Sequence, residues 1–315
     1  MADILFIKTS SLGDVIHHLP AVTDVRGRLP DARIAWVVEE AFAPLVRLHP
    51  GVSEVVPVAS RRWRKSLYAP ETMADIGRNL RAIRARAYGE IVDSQGLLRS
   101  AIIARVARGR RHGYDRSSIR EPVAALLYDV RHTVSRALHA IDRNRILTGL
   151  ALGYSPEGAA RYGLDRSRLS PAASKYAVLL HATARPEKEW AEENWIALGN
   201  AIQSSGMDLV LPWGNEVERS RSERLASVLP HARVGERRPL DDVARLIAGA
   251  SFVVGVDTGL LHLAAALGVP LVAIFTETKP ELTGPRGSGP IAIVGSEAGP
   301  PSVDEVVRAV ERIAP

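Results

Sequence analysis

Strand-length apolar runs and helix-length patterns take turns along the first hundred residues. "ILFIK" precedes the helical "DVIHHLPAVTDVRGRLP", "RIAWVVEE" the short "AFAPLVRLH", "VSEVVPV" the amphipathic "PETMADIGRNLRAIRARAY", and "EIVDSQG" the segment "LLRSAIIARVARG". The runs are almost continuously apolar, as strands covered on both faces must be. Two strands separated by a helix are joined by a crossover, and a crossover makes them parallel. The pattern restarts at "YAVLLHAT". There the helix "EENWIALGNAIQSSG" stops at Gly206, the strand "DLVLPWG" follows, and then come the helices "NEVERSRSERLASVL" and "PLDDVARLIAGA". "SFVVGVD", "TGLLHLAAALG" and "PLVAIF" read as strand, helix and strand, and "SVDEVVRAVERI" as a final helix.

The chain is therefore expected to be α/β, with two doubly wound sheets facing a central cleft. "RNRILTGLALGYSPEGAARYGL" reads as the exit from the first domain. The small, polar "DRSRLSPAASK" after it is assigned as the linker, around Ser167–Lys175. The domains are 1–168 and 169–315, the last helix being a candidate to pack back on the first. In such sheets ligands bind outside the carboxyl ends of the strands, so each domain is expected to hold one partner.

The length of 315 residues suits two domains. Hydrophobic residues make up 46% and charged residues 24%, as in ordinary globular proteins. Cysteine is absent, which excludes disulfides, thiolate metal sites and cysteine nucleophiles. Asp3 and Lys8 flank an apolar run too short for a signal peptide. "FVVGVDTGLLHLAAALGVPLVAIF" is long enough to span a membrane, but Asp257, Thr258 and His262 interrupt it and Gly259, Gly268 and Pro270 divide it. The net charge of +6 favours anionic partners, although much of it is arginine on solvated faces.

Two strand–turn–helix junctions carry the chemistry. "KTSSLGD" has neither the dinucleotide fingerprint nor a P-loop. Gly13 permits a close backbone approach. Asp14 at the helix mouth would repel a bound phosphate, although the helix dipole favours it. It is placed either to cap the helix or to take a proton from a hydroxyl. At "VGVDTGLLH" the strand ends at Asp257. The helix starts with Thr258 and Gly259, whose backbone N–H groups suit an anion, and His262 lies one turn from Thr258. "HATARPEKEW" supplies Thr183, Arg185 and Lys188, a point charge for a diphosphate. Glu218 could accept from ribose hydroxyls, though a first-turn dipole partner is the commoner role for such a residue. "RRWRK" suits nucleic acid, a membrane surface or an anionic acceptor; a solvated face is the usual case. With no H-E-x-x-H, and with His17 and His18 on different helix faces, no metal is expected.

Taken in order, "KTSSLGDVIHHLPA", "WVVEEAF", "RRWRK", "DSQGLLRSA", "HGYDRSSIREP", "HATARPEKEW", "LPWG" and "VDTGLLHLAAAL" resemble the ADP-heptose:lipopolysaccharide heptosyltransferase family, its type I branch in particular. The resemblance implies the glycosyltransferase B architecture of two Rossmann-like domains, an N-terminal one for the acceptor and a C-terminal one for the nucleotide sugar. It implies an inverting, metal-free enzyme with no cofactor. Such an enzyme moves L-glycero-D-manno-heptose from ADP-heptose to Kdo of Kdo2-lipid A during assembly of the lipopolysaccharide inner core. It further implies a cytoplasmic monomer with peripheral contact to the anionic inner membrane and no nucleic acid.

By the same resemblance Asp14 is the general base. Thr183, Ala184, Lys188, Glu218, Arg238, Asp257, Thr258, Gly259 and His262 fall at donor positions. Ser11, Gly13, Arg61, Arg62, Arg64, Lys65 and Arg120 fall on the acceptor side. Ala184 stands where the family often has a second threonine, Arg238 where it often has an apolar residue, and "IFTETKPELTGPRG" departs from the pattern. The rival readings are a type II-like enzyme with another core acceptor, a non-catalytic nucleotide-sugar binder, and a nucleic-acid-binding protein whose affinity would fall steeply with salt.

Overall fold

A computed structural model describes residues 2–170, 175–183, 185–277 and 280–314. The chain forms two compact units, 1–163 and 164–315. The division falls a few residues before the expected one. The short helix Arg166–Leu169 is tied to the second unit, because the Arg166 guanidinium donates to the carbonyls of Ala248 and Ala250 at 2.8 and 2.9 Å. Residues 171–174 of the expected linker lie outside the described residues.

The first unit holds strands β1 (Asp3–Ile7), β2 (Arg33–Glu39), β3 (Glu54–Val58), β4 (Ala87–Asp93), β5 (Arg108–Tyr114) and β6 (Val130–His132). They form one parallel sheet in the order β3-β2-β1-β4-β5-β6. The second unit holds β7 (Tyr176–Leu180), β8 (Asp208–Leu211), β9 (Ala232–Val234), β10 (Phe252–Val256), β11 (Leu271–Ile274) and β12 (Ile291–Val294). Its sheet, also parallel, has the order β12-β11-β10-β7-β8-β9. Each sheet thus repeats the doubly wound dinucleotide-fold order, reversing beside its own first strand. The apolar runs mark its central strands. Ile4 to Ile7 and Val253, Val254 and Val256 are fully buried.

The sequence pattern misses β5, β6, β9 and β12. β5 begins with Arg108 to Arg111 and buries only His112, Gly113 and Tyr114. The other three are short strands at sheet edges, where no long apolar run is required. "DVIHHLPAVTDVRGRLP" is two helices, Leu12–Ile16 and Leu19–Arg28. Pro20 opens the second, in the first turn, where its missing N–H has no partner to lose. The stretch that resembles a membrane span is β10, the helix Gly259–Ala266 and β11. No helix among the described residues is long and apolar enough to cross a membrane.

The closing helix, Val303–Ile313, buries Val306, Ala309, Val310 and Ile313 in the core of its own unit with Trp190 and Trp195. Its partners there are β11, β12 and the helix Glu192–Gln203. A single apolar stripe at helical spacing is satisfied by one such surface, and the core of the second unit supplies it.

In the first unit, buried Arg145 on the helix Ala140–Leu152 closes the structure onto the helix Leu19–Arg28. Its guanidinium forks onto Asp24 at 2.7 and 3.2 Å and donates to the carbonyls of Glu157 and Gly158. Arg145→Met strands a largely buried carboxylate and should cost about 3–5 kcal/mol. Calorimetry should show a clear drop in the first unit's melting temperature, largely reversed when Asp24→Leu is added. An unchanged melting temperature in the single variant would count against this account.

Candidate active site

Because every strand of a sheet points the same way, the loops that follow the strands share one edge. On the first sheet that edge carries Ser11, Gly13 and Asp14 after β1, Arg61 to Lys65 after β3, and Arg120 after β5. On the second it carries Thr183 and Lys188 after β7, Glu218 after β8, Arg238 after β9, and Asp257 to His262 after β10.

After β1 the Ser10–Ser11 peptide is cis, and Ser11 is the N-cap of the helix Leu12–Ile16. Asp14 is therefore not the cap but the third helical residue. Its Oδ2 accepts from the Ser11 backbone N–H at 2.8 Å and from the Ser11 hydroxyl at 3.0 Å. The other oxygen, Oδ1, faces the Lys8 ammonium at 3.9 Å, and the side chain is 38% exposed. Gly13 is buried without a positive φ, so it contributes the lack of a side chain rather than a special conformation.

Lys8 was not legible as a site residue. It is buried at the end of an apolar strand and donates to the Ser94 carbonyl at 2.9 Å. Burial pushes its pKa down. Asp14 and Asp93 oppose that shift, while Arg143 and Arg120 add to it. The "DSQG" turn after β4 buttresses this group. Gln95 Oε1 accepts from the Thr9 and Ser10 backbone N–H groups at 2.9 and 3.0 Å. Asp93 is fully buried and its pKa is raised by desolvation. It accepts from the N–H groups of Gln95 and Gly96 and from the Tyr128 hydroxyl. Gly96 turns the chain at φ +69°, and a Cβ there would meet Ile119 at 3.1 Å. The sequence signal was a strand-terminal acid followed by glycine two residues beyond its neighbour, which reads equally well as an ordinary turn.

The basic run starts a short helix, Ser60–Trp63. Buried Glu39 accepts from the Ser60 hydroxyl and from the Arg61 N–H, which anchors that helix. Arg62 is committed: it bridges Glu40 at 3.2 Å and Asp75 at 3.0 Å, and these hydrogen bonds raise its pKa. The Arg61 guanidinium lies 5.3 Å from the centre of the Phe42 ring. Arg64, Lys65 and Arg120 are exposed.

In the second unit Thr183, Lys188, Asp257 and His262 form one group. Lys188 Nζ donates to Asp257 Oδ2 at 2.5 Å, and the Thr183 hydroxyl donates to the Asp257 carbonyl at 3.1 Å. Buried His262 places Nε2 4.0 Å from Asp257 Oδ1. Thr258 is the N-cap of the helix Gly259–Ala266, and its hydroxyl makes no capping bond. Ala184 lies outside the described residues. Glu218 supports the start of the helix Glu216–Val228, which Asn215 caps: its oxygens accept from the Gly214 N–H and the Asn215 amide, both at 2.7 Å. Arg238 is exposed and pairs with Glu236 at 3.3 Å. Neither Glu218 nor Arg238 joins the hydrogen bonds around Asp257. Among the described residues no group of three or more His, Asp or Glu side chains is arranged to hold a metal ion.

Two parallel sheets of this order, with an acid–lysine turn on one and an anion-ready helix start on the other, define an α/β protein of the nucleotide-binding class. Residues 76–307 match the family model for glycosyltransferase family 9 (heptosyltransferase), and the chain belongs to that family. It is 40% identical over 306 residues to lipopolysaccharide heptosyltransferase 1 of Salmonella typhimurium, covering 96% of both chains. The E. coli heptosyltransferase WaaC solved with ADP superposes with a TM-score of 0.93 at 39% identity, covering 99% of this chain and 100% of that one. WaaC with ADP-2-deoxy-2-fluoro heptose gives 0.87 at 37% identity, covering 98% of each chain. The fold is thus of the glycosyltransferase B type.

Each unit also buries a neutral histidine. His49 pairs with Thr23 and Gly51, and His181, which follows β7, pairs with Ser222. Burial, reinforced by Arg26 and Arg221 respectively, lowers each pKa to about 4. An unfolded histidine titrates near 6.5. Between these values the unfolded chain binds the extra proton, so stability falls as pH falls. Acidifying from about pH 7 to pH 5 should cost about 2 kcal/mol per histidine. Calorimetry at the two pH values checks this. His181→Gln should flatten the second unit's response, and an equally steep response in that variant would overturn the assignment.

Proposed function

We propose that this chain is a lipopolysaccharide heptosyltransferase of type 1. It transfers L-glycero-D-manno-heptose from ADP-heptose to Kdo of Kdo2-lipid A, inverting the anomeric centre. The observation that carries the reading is the turn after β1. There Asp14 is held by one oxygen while the other stays uncommitted to helix capping and partly exposed. A residue serving only the cap has no need of a buried lysine beside it. The names and bound nucleotides of relatives that match along nearly the whole chain support the same reading.

In this mechanism Asp14 Oδ1 takes the proton of the acceptor hydroxyl as its oxygen bonds to the anomeric carbon. The bond from that carbon to the diphosphate oxygen breaks, and the electron pair leaves with ADP. The transition state is oxocarbenium-like, by analogy with glycoside cleavage. Lys188 and the free N–H groups that start the helix Gly259–Ala266 receive the growing charge on the diphosphate. Thr183, Thr258 and His262 line the same donor group, and Glu218 and Arg238 serve the nucleoside end. Arg61, Arg64, Lys65 and Arg120 hold the anionic acceptor, with Ser11 and Gly13 shaping the turn. Arg62, spent on Glu40 and Asp75, orients the basic helix instead. The first unit thereby serves the acceptor and the second the donor. The enzyme works as a monomer without metal, in the cytoplasm at the face of the inner membrane.

General-base catalysis contributes roughly 10²–10⁴-fold. Asp14→Ala should lower kcat by that order with affinity for ADP-heptose little changed; near-normal turnover would remove the base. Lys188→Ala deletes a charge-assisted contact and should weaken ADP binding by about 10- to 100-fold, measured by calorimetric titration. Transfer assays with Kdo2-lipid A and with an already heptosylated acceptor decide the type. Product from the heptosylated acceptor alone would sink the type 1 reading.

A further inference from the structure

The helix Leu98–Val106 and the 3₁₀ segment Pro122–Leu127 pack side by side in the first unit. Alanines supply much of their buried faces: Ala101 and Ala104 on the helix, Ala124 and Ala125 on the 3₁₀ segment. Their outer faces are apolar. Leu98 is 40% exposed and Ile102 51%, four residues apart on one helix face. Val123 is 62% exposed and Leu126 59%, three apart and so eclipsed on a 3₁₀ turn. The start of the helix is clipped to the start of the 3₁₀ segment, where Glu121 accepts from the Leu98 N–H and donates its own N–H to Gly96. A large apolar side chain left exposed alone is ordinary; several on one packed pair of elements mark a contact surface.

The far end of the same helix is basic. Arg84, Arg105, Arg108 and Arg111 line an open pocket of about 360 Å³ together with Val106 and Ala107. Arg111 bridges Asp129 at 2.7 Å, while among the described residues Arg84, Arg105 and Arg108 form no salt bridge. With Asp129 and Glu121 counted, the surface stays net positive. This pocket lies at the amino end of β5, away from the edge that carries Asp14.

We propose that this face docks on an anionic phospholipid surface, the arginine pocket taking a headgroup phosphate while Leu98, Ile102, Val123 and Leu126 enter the interface. The apolar and cationic parts complement the two layers of a bilayer surface, acyl boundary and phosphate, and neither alone would. The inference deepens the proposed function and rests on its reading that the acceptor is a lipid. The helix that carries the patch also touches the reaction turn, because Arg99 donates to the Ser10 hydroxyl at 2.8 Å. Docking there would anchor the acceptor side of the enzyme on the layer that holds the acceptor.

The test is sedimentation of the full chain with vesicles of phosphatidylcholine alone and of phosphatidylcholine mixed with phosphatidylglycerol. The parent should bind the mixed vesicles and bind neutral ones much more weakly. Arg105→Gln with Arg108→Gln should lower the partition coefficient about twenty-fivefold, near fivefold per arginine. Ile102→Ser with Val123→Ser should lower it about tenfold by removing apolar burial. Both double variants should keep the parent's melting temperature and its turnover on a deacylated, water-soluble acceptor. Parental binding in either double variant, or equal parental binding to neutral vesicles, would overturn the docking surface. Failure of the parent to turn over the soluble acceptor would instead count against the proposed function, whatever the vesicles show.

Discussion

A parallel strand cannot return to its neighbour through a hairpin; each connection must climb over a face of the sheet. Every strand therefore releases its chain at the same edge. In this protein that constraint gathers residues far apart in sequence. Lys8 and Ser94 meet across 86 positions because β1 and β4 are neighbours in register, Ile7 opposite Asp93. Lys188 and Asp257 meet across 69 because β7 and β10 are neighbours, with Leu180 opposite Gly255. The order reversal beside β1 and β7 adds the crevice where helices leave in opposite directions. Each polar group thus occurs where backbone geometry leaves room for a ligand.

Asp14 and Glu305 make the same local arrangement: each sits at the third position of its helix and accepts from the backbone N–H and the hydroxyl of the serine that caps it. The arrangement is a capping device and says nothing of catalysis by itself. Glu305 shows this, since it closes a helix whose role is to fill the second core. Asp14 differs by its neighbours. A buried ammonium lies beyond it, and Asp93 and Gln95 lock the adjoining backbone. The shorter side chain of aspartate also holds its carboxylate nearer the backbone than glutamate would. Capping and proton transfer are compatible in one residue because they use different oxygens.

The central strands were legible because burial on both faces leaves only apolar residues, and no other element of this length reads that way. Strands β6, β9 and β12 were not, since an edge strand is defined by its neighbour's hydrogen bonds more than by its own side chains. For β5 the signal was masked by three arginines before Gly113. At the site, sequence reading found the charged residues and left Asp14 either a cap or a base; the cap position falls to Ser11 three residues earlier, an equally good capping residue. It missed Lys8, whose partners are supplied by strand register. It also gave Arg62 a free charge, where folding brings Glu40 and Asp75 to it.

The lysine–aspartate contact in the second unit raises a question of availability. Lys188 is bound to Asp257 at 2.5 Å, so a cation assigned to a diphosphate already has an anion. An ammonium has three donors and no acceptor, however, and this bond uses one. The carboxylate fixes where the long, flexible lysine stem ends, which removes much of the entropy that a free lysine would lose on binding. Asp257 is itself fixed through its backbone, since its carbonyl accepts from Thr183. Its negative charge also offsets the lysine when no nucleotide is bound, so the second sheet's carboxyl edge need not carry an uncompensated, largely buried cation. Under the proposed function the pair is the resting form of the donor site. A diphosphate would extend it, taking up the two remaining N–H groups and the helix start at Gly259 without breaking the lysine–aspartate bond.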